Sequence, residues 1–60
     1  MIDVEVLQLA LTQEEAAIKT YQQLAEQYPN LRDLLYFLVV EEQKHRSLLQ
    51  KKIAELCREN

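Results

Sequence analysis

Sixty residues are enough for one small domain, and a chain of this length needs a metal ion, disulfides or a partner chain for stability. Its net charge of −3 and its lack of a basic patch argue against nucleic-acid binding. No apolar run approaches the roughly 18 residues of a membrane span. Because the N-terminal residues are acidic, unlike a signal peptide, we expect a cytoplasmic protein. The single cysteine, Cys57, cannot form a disulfide within the chain, which leaves metal binding and oligomerisation.

The composition predicts an all-α protein. The chain has no glycine and one proline, and it is rich in Leu, Ala, Glu, Gln and Lys, which are helix formers. We expect a first helix over residues 3–28, capped by Asp3. Pro29 disfavours helical geometry in the preceding residue and ends this helix. Asn30 can cap a second helix, which we expect over residues 31–58.

A capping box at Thr12 and Glu15 is an alternative, later start for the first helix. We favour the early start because the apolar stripe continues through Leu7 in the same phase. Since the connection is short, the two helices fold back as an antiparallel hairpin, which forms a single domain over residues 1–60.

Charged residues interrupt the apolar stripe of each helix. At roughly 100° per residue, the leucine-rich face of the second helix also carries Glu42 and His45 near its centre. Glu14 occupies the corresponding place in the first helix. Ionisable groups in an apolar face are costly unless they are neutralised. A Glu-x-x-His spacing directs both side chains to one metal ion, which would neutralise them.

These three residues are expected to lie at one level of the hairpin. Counted from the turn at a rise of about 1.5 Å per residue, Glu14, Glu42 and His45 differ by less than one helical turn. One hairpin supplies only three ligands and leaves a long apolar face open. Two copies would form a four-helix bundle with two sets of ligands, the pattern of dimetal carboxylate bundles. The sequence therefore predicts a homo-oligomer that is at least a dimer.

The motifs resemble those of the ferritin-like di-iron carboxylate superfamily, and of rubrerythrin-type proteins in particular. Glu14 followed seven residues later by Tyr21 is similar to their first ligand helix. Residues 41–45, EEQKH, are similar to their E-E-x-x-H helix. Ordinary members carry four helices in one chain, whereas the two-helix length is similar to encapsulated ferritins, whose site forms between two hairpins.

This resemblance implies two iron ions per dimer, which would react with oxygen or peroxide in a ferroxidase-type reaction. Glu14, Glu42 and His45 would be the ligands, and Glu42 would be the bridging carboxylate. Rubrerythrins pass electrons through a domain with paired Cys-x-x-Cys motifs, but this chain has one cysteine. Repeated peroxidase turnover would therefore need an external electron donor.

Several alternatives remain open from the sequence. The hairpin could be a metal-free dimerisation module in which Glu14 and His45 form a structural ion pair, or it could hold a structural or sequestering metal without turnover. An enzymatic role is therefore undecided. Manganese suits oxygen and imidazole ligands as iron does. Glu41 is either a solvated acid or an additional metal ligand, and Tyr21 is expected to pack near the site with its hydroxyl reaching a partner.

Overall fold

Two long antiparallel helices form the fold. The structure, a computed structural model, describes residues 1–58, so the last two residues of the predicted domain lie outside the described part. Helix α1 spans Ile2–Gln27 and helix α2 spans Arg32–Arg58, and a short 3-10 turn, Pro29–Leu31, joins them. The predicted all-α hairpin is thereby confirmed.

Helix α1 begins one residue earlier than predicted. It starts at Ile2 without a side-chain cap, so the predicted capping role of Asp3 is wrong. Asp3 instead lies in the first turn, where a negative charge favours the exposed N–H groups of the helix terminus. The later start is also excluded, because the Thr12 hydroxyl donates to the carbonyl of Gln8 at 3.0 Å inside a continuous helix.

The connection between the helices runs from Tyr28 to Leu31, slightly longer than predicted. Tyr28 lies outside both helices with φ −128° and ψ 79°, an extended conformation favoured in a residue before proline. Pro29 then opens the 3-10 turn, where its fixed φ and missing N–H are tolerated. The Leu31 N–H donates to the Tyr28 carbonyl at 2.9 Å. Asn30 lies inside this turn, so the prediction that it caps the second helix is wrong.

The buried core is small and lies close to the turn. Among residues 1–58, four side chains are buried: Ile18 and Ala25 from α1, and Leu35 and Val39 from α2. Val39 is only 6% exposed, although it lies beside the leucine-rich stripe rather than within it. A helix with one neighbour buries a narrow strip, and here the centre of that strip is rotated toward Val39.

Part of the leucine-rich stripe of α2 is open to solvent, as expected for a hairpin that leaves an apolar face uncovered. Leu34 is 59% exposed and Leu48 is 67% exposed. Their positions at 100° per residue place them on the same side of the hairpin as an apolar strip of α1. We call this side the open flank; its apolar members are Val6, Ala10, Ala17, Leu24, Leu34, Phe37, Leu38 and Leu48.

An open cleft of about 430 Å³ lies at the end of the hairpin that carries the two termini, and it is lined by Asp3, Val6, Leu7, Lys52 and Leu56. Because this cleft is lined by Val6 of α1 together with Lys52 and Leu56 of α2, it shows that these residues share one side of the hairpin.

Other apolar side chains lie away from the open flank. Leu9, Tyr36 and Val40 are exposed. Cys57 is an exposed free thiol. Within residues 1–58, neither helix has the combination of length and hydropathy that a transmembrane segment requires.

Candidate metal centre

Three potential metal ligands meet near the middle of the hairpin. Nδ1 of His45 lies 3.6 Å from Oε2 of Glu14 and 3.5 Å from Oε1 of Glu42. One ligand atom from each of the three side chains can be chosen so that all lie within 4.8 Å of one another. The structure thus brings together the three residues that the sequence singled out.

The two helices position this cluster in different ways. Glu42 and His45 are three residues apart on α2, a spacing that places both side chains on neighbouring parts of one face. Glu14 reaches them from α1, which runs antiparallel to α2. The predicted match in depth is confirmed, because side chains at different levels of the hairpin could not approach so closely.

The cluster is only partly shielded from solvent. The side chains of Glu14 and Glu42 are 23% and 21% exposed, whereas that of His45 is 51% exposed. The two carboxylates therefore lie at the edge of the interhelical contact, and the imidazole lies on the open flank. His45 is the least shielded of the three side chains, because α1 covers only part of that face of α2.

One carboxylate oxygen of the cluster lacks a partner. Oε2 of Glu14 is buried, and among residues 1–58 it has no hydrogen-bond partner. An orphaned buried acceptor costs free energy, and a cation would relieve this cost. Two donor atoms that bind a first-row metal ion at about 2.0–2.2 Å must lie within about 4.4 Å of each other. The separations of 3.5 and 3.6 Å from the imidazole nitrogen meet this requirement.

The electrostatics of the cluster favour a positive charge within it. The pKa of Glu42 is raised, first because its protonated carboxyl can donate a hydrogen bond to Glu14. Desolvation and repulsion from the Glu14 carboxylate raise this pKa further, while the charge of His45 opposes the shift. A proton relieves the repulsion between the carboxylates, and a metal ion would relieve it more strongly.

The two further residues that the sequence associated with the site lie outside the cluster. Glu41 is not among the three clustered ligands, and its Oε1 accepts a hydrogen bond from Nζ of Lys44 at 3.3 Å. Tyr21 is half-buried two helical turns from Glu14, and among residues 1–58 its hydroxyl forms no hydrogen bond. The partner expected for that hydroxyl is therefore not found within the described chain.

The half-exposed position of His45 is the feature that the sequence pattern missed. His45 shares its side of α2 with Leu34, Leu38 and Leu48, at intervals of three, four or seven residues, and those leucines are exposed or half-buried. These intervals are typical of a strip that packs against another helix. The broad stripe of α2 thus consists of two adjacent apolar strips. One contains Leu35 and packs against α1, and the other contains His45 and faces the open flank.

Comparison with known proteins agrees with the geometry of the cluster. The family model described as rubrerythrin matches residues 5–60, which is nearly the whole chain. The chain belongs to the rubrerythrin family. No curated protein and no solved structure matches the chain significantly. The rubrerythrin match and the Glu/His cluster together point to iron binding.

Proposed function

We propose that this member of the rubrerythrin family binds iron through Glu14, Glu42 and His45 and oxidises Fe(II) with oxygen or peroxide. We also propose that two copies share the centre, with two iron ions per dimer. The observation that carries the proposal is the meeting of two carboxylates and an imidazole at one level of the hairpin.

The chemistry of the three side chains suits iron. Carboxylate oxygens and imidazole nitrogens bind Fe(II), and they bind Mn(II) as well. Membership of the rubrerythrin family favours iron over manganese. The carboxylate oxygens are hard, negatively charged donors that stabilise the more highly charged ferric ion, so these side chains favour oxidation of the metal.

The need for a second copy follows from the number of donors and from the open flank. One hairpin offers a Glu from α1 and a Glu-x-x-His pair from α2, which is half of the ligand set of a four-helix dimetal bundle. Two copies contribute four carboxylates, whose total negative charge equals the positive charge of two divalent ions. The exposed apolar side chains of the open flank lie beside this site and would be covered by the second copy.

Bound iron supplies the one-electron redox chemistry of the reaction. The protein supplies the ligands and a charge environment that favours the ferric state. We assign no separate acid or base to the described chain. An external reductant would return the iron to the ferrous state in repeated turnover.

Iron binding is tested by loading the protein with Fe(II) without oxygen and measuring the bound metal after desalting. We expect one iron per chain in the wild type and a large loss in Glu14→Gln and His45→Ala. Glu15→Gln is a matched control, because Glu15 is an exposed acid next to Glu14 that lies outside the cluster. Equal binding by Glu14→Gln and the wild type would contradict the ligand assignment.

The redox step and the shared site need separate measurements. Fe(II) added under air should give a ferric absorption signal in the wild type that is lost in His45→Ala. Binding without this signal would instead indicate a sequestering site. Sedimentation should show a dimer, and a folded monomer that binds iron would contradict the shared centre. A dimer that binds no metal would support a dimerisation module.

A further inference from the structure

The part of α2 nearest the turn is apolar on every side. Residues 34–40 read LLYFLVV, seven consecutive apolar residues. At about 100° per residue, seven successive side chains point in all directions around a helix. Leu35 and Val39 are buried against α1, whereas Phe37 and Val40 are 58% and 47% exposed. Because a helix that is apolar all round is normally covered all round, this segment has an uncovered side that needs a partner.

The uncovered side is not the one that the shared metal centre would use. Val40 points about 140° away from the buried Leu35, and Phe37 lies about 60° from Val40, at the outer edge of the open flank. Leu34, on the open flank itself, points about 120° away from Val40. A second copy that covers the open flank would therefore cover Leu34 and leave Val40 and part of Phe37 in contact with water.

Four side chains form a line along this outer side of α2. Asp33, Phe37, Val40 and Lys44 follow one another at intervals of four, three and four residues. All four point into one sector of about 60°. Such intervals are those of the a and d positions by which two helices pack along their length. The two central members are apolar, the first is acidic and the last is basic. We call these four side chains the outer seam.

The outer seam is complementary to itself when two helices run antiparallel. If a two-fold axis crosses the helices between residues 38 and 39, Phe37 of one copy meets Val40 of the other. The same register brings Asp33 of each copy to Lys44 of the other. Apolar groups then meet at the centre, and opposite charges meet at both ends. A parallel pairing would instead oppose like charges at each end, which is repulsive.

The charged members of the outer seam can make these contacts. Asp33 is exposed, and among residues 1–58 its carboxylate forms no ion pair. Lys44 is 66% exposed, and its ammonium lies 3.3 Å from the carboxylate of Glu41. An ammonium has three N–H donors, so this contact leaves donors for a second carboxylate. Each end of the seam thus offers the charge that complements the other end, which favours a second copy of this chain over an unrelated protein.

We propose that the outer seam of α2 binds the outer seam of another copy in an antiparallel contact centred between residues 38 and 39. This contact lies about 100° around α2 from the open flank and needs no metal. A chain with two different two-fold contacts joins copies beyond a dimer. The seam spans 12 residues of each helix, 33–44, or about 18 Å. A contact of this size is weak, so it should form reversibly as the protein concentration rises.

Charge reversal tests the pairing of the seam. In Asp33→Lys or in Lys44→Asp, like charges oppose each other at both ends, and association through the seam should weaken about ten-fold. The double variant Asp33→Lys/Lys44→Asp restores opposite charges and should associate as the wild type does. Sedimentation velocity over a range of concentrations measures this association in the metal-free protein. A double variant that stays as weak as the single variants would contradict the pairing.

Mixing the two single variants tests whether the partner is another copy of this chain. The Asp33→Lys chain carries two bases in its seam and the Lys44→Asp chain carries two acids, so their mixture should associate more tightly than either variant alone. Glu26→Lys mixed with Lys19→Asp is the matched control, because it changes the net charges equally at exposed sites of α1. No gain in the seam mixture, or an equal gain in the control mixture, would overturn the proposal.

The apolar centre of the seam is tested by Val40→Glu. A charge opposite Phe37 of the other copy should abolish the rise in size with concentration. Leu9→Glu introduces the same charge at an apolar residue of α1 that is 65% exposed, and it should associate as the wild type does. Far-UV circular dichroism checks that both variants retain the helical hairpin. Equal effects of the two substitutions would argue against a contact through α2.

Cysteine cross-linking tests the register. In a Cys57→Ser background, the metal-free double variant Asp33→Cys/Lys44→Cys should form a covalent dimer on mild oxidation at high protein concentration. The two positions lie about 16 Å apart within one chain, which exceeds the reach of a disulfide. The same distance would separate two copies of residue 33, so Asp33→Cys alone should not cross-link. Equal cross-linking of the single and double variants, or none in either, would rule out the register, whatever the outcome of the iron-binding experiments.

Discussion

The half of the hairpin next to the turn and the half that carries the termini differ in packing. All four buried side chains, Ile18, Ala25, Leu35 and Val39, lie between the Glu14–His45 cluster and the turn. Beyond the cluster, toward the termini, the apolar residues are half-buried or exposed, and both helices line an open cleft. We call these parts the turn half and the terminal half.

This difference shows which part of the hairpin can pack without a metal ion or a second chain. In the turn half, the short connection holds the helices together and small or branched side chains fill the space between them. The terminal half has no such connection, and its apolar groups bury less surface. Its order should therefore depend more strongly on metal binding and on a second copy, which is consistent with the limited core available to a chain of this length.

The largest change in stability should come from truncating a buried leucine to alanine. Leu35→Ala in the turn half should lower the free energy of unfolding by about 2–5 kcal/mol, because Leu35 is only 8% exposed. Leu49→Ala in the terminal half should cost roughly half as much, because Leu49 is only half-buried. Urea unfolding of the metal-free protein measures both values, and Ile18→Val is a milder substitute if Leu35→Ala does not fold. Equal losses would remove the distinction between the halves.

Metal binding should reduce the difference between the two halves. A metal ion present at about 100 times its dissociation constant should raise the free energy of unfolding by about 2.7 kcal/mol. Hydrogen exchange should slow most in the terminal half, which the metal helps to close, and least around Leu35. His45→Ala should abolish both changes. Uniform protection along the two helices would argue against a separately ordered terminal half.

The pH dependence of the metal-free protein tests the boundary between the halves. The pKa of Glu42 is raised by its proton sharing with Glu14 and by desolvation, so the folded state binds this proton more tightly than the unfolded state. The stabilisation by this proton is present at low pH and is lost as the pH rises through the raised pKa.

The measurement compares the wild type with Glu42→Gln, which mimics the protonated side chain at every pH. The wild type should lose stability relative to this variant as the pH rises above the ordinary pKa range of glutamate and through the raised pKa of Glu42. Glu15→Gln, which removes an exposed acid, should not reproduce this relative change. A difference between wild type and Glu42→Gln that is independent of pH would contradict the coupling of the two carboxylates.

The smallest effect should come from the turn itself. Pro29→Ala should destabilise the protein by about 0.4–1 kcal/mol, because the unfolded chain regains freedom that proline removes. Thermal unfolding of the metal-free protein measures this loss. Since Pro29 has no N–H and starts a 3-10 turn, its replacement breaks no hydrogen bond that it donates. Loss of the helical hairpin would instead show that the turn half depends on proline for its topology.

Much of the fold could be predicted because its signals are local. The helices follow from helix-forming composition, and their separation follows from Pro29 and its effect on Tyr28. The start of each helix differed by one residue from the prediction, whereas the first helix ends at Gln27, within the range that Pro29 predicted. These differences arise because the side chains of Asp3 and Asn30 are suited to helix capping but do not act as caps. Helix α1 already begins at Ile2, and Asn30 lies in the 3-10 turn.

The cluster could be predicted because both helices are regular and antiparallel. Because the rise per residue is constant, the number of residues from the turn gives the position of a side chain along the hairpin axis. By this count, Glu14, Glu42 and His45 lie at one level. The exposure of His45 and the burial of Val39 could not be obtained in this way. They depend on how far each helix is rotated about its own axis, and a stripe as broad as that of α2 permits more than one rotation.

The sequence by itself therefore determined the two helices, the turn between them and the three residues that meet at one level, because these follow from local backbone preferences and a constant helical rise. Only the tertiary structure decided which strip of α2 is buried against α1 and which strip remains open beside His45. That choice depends on the packing of side chains across the interface, where Ile18, Ala25, Leu35 and Val39 fit together.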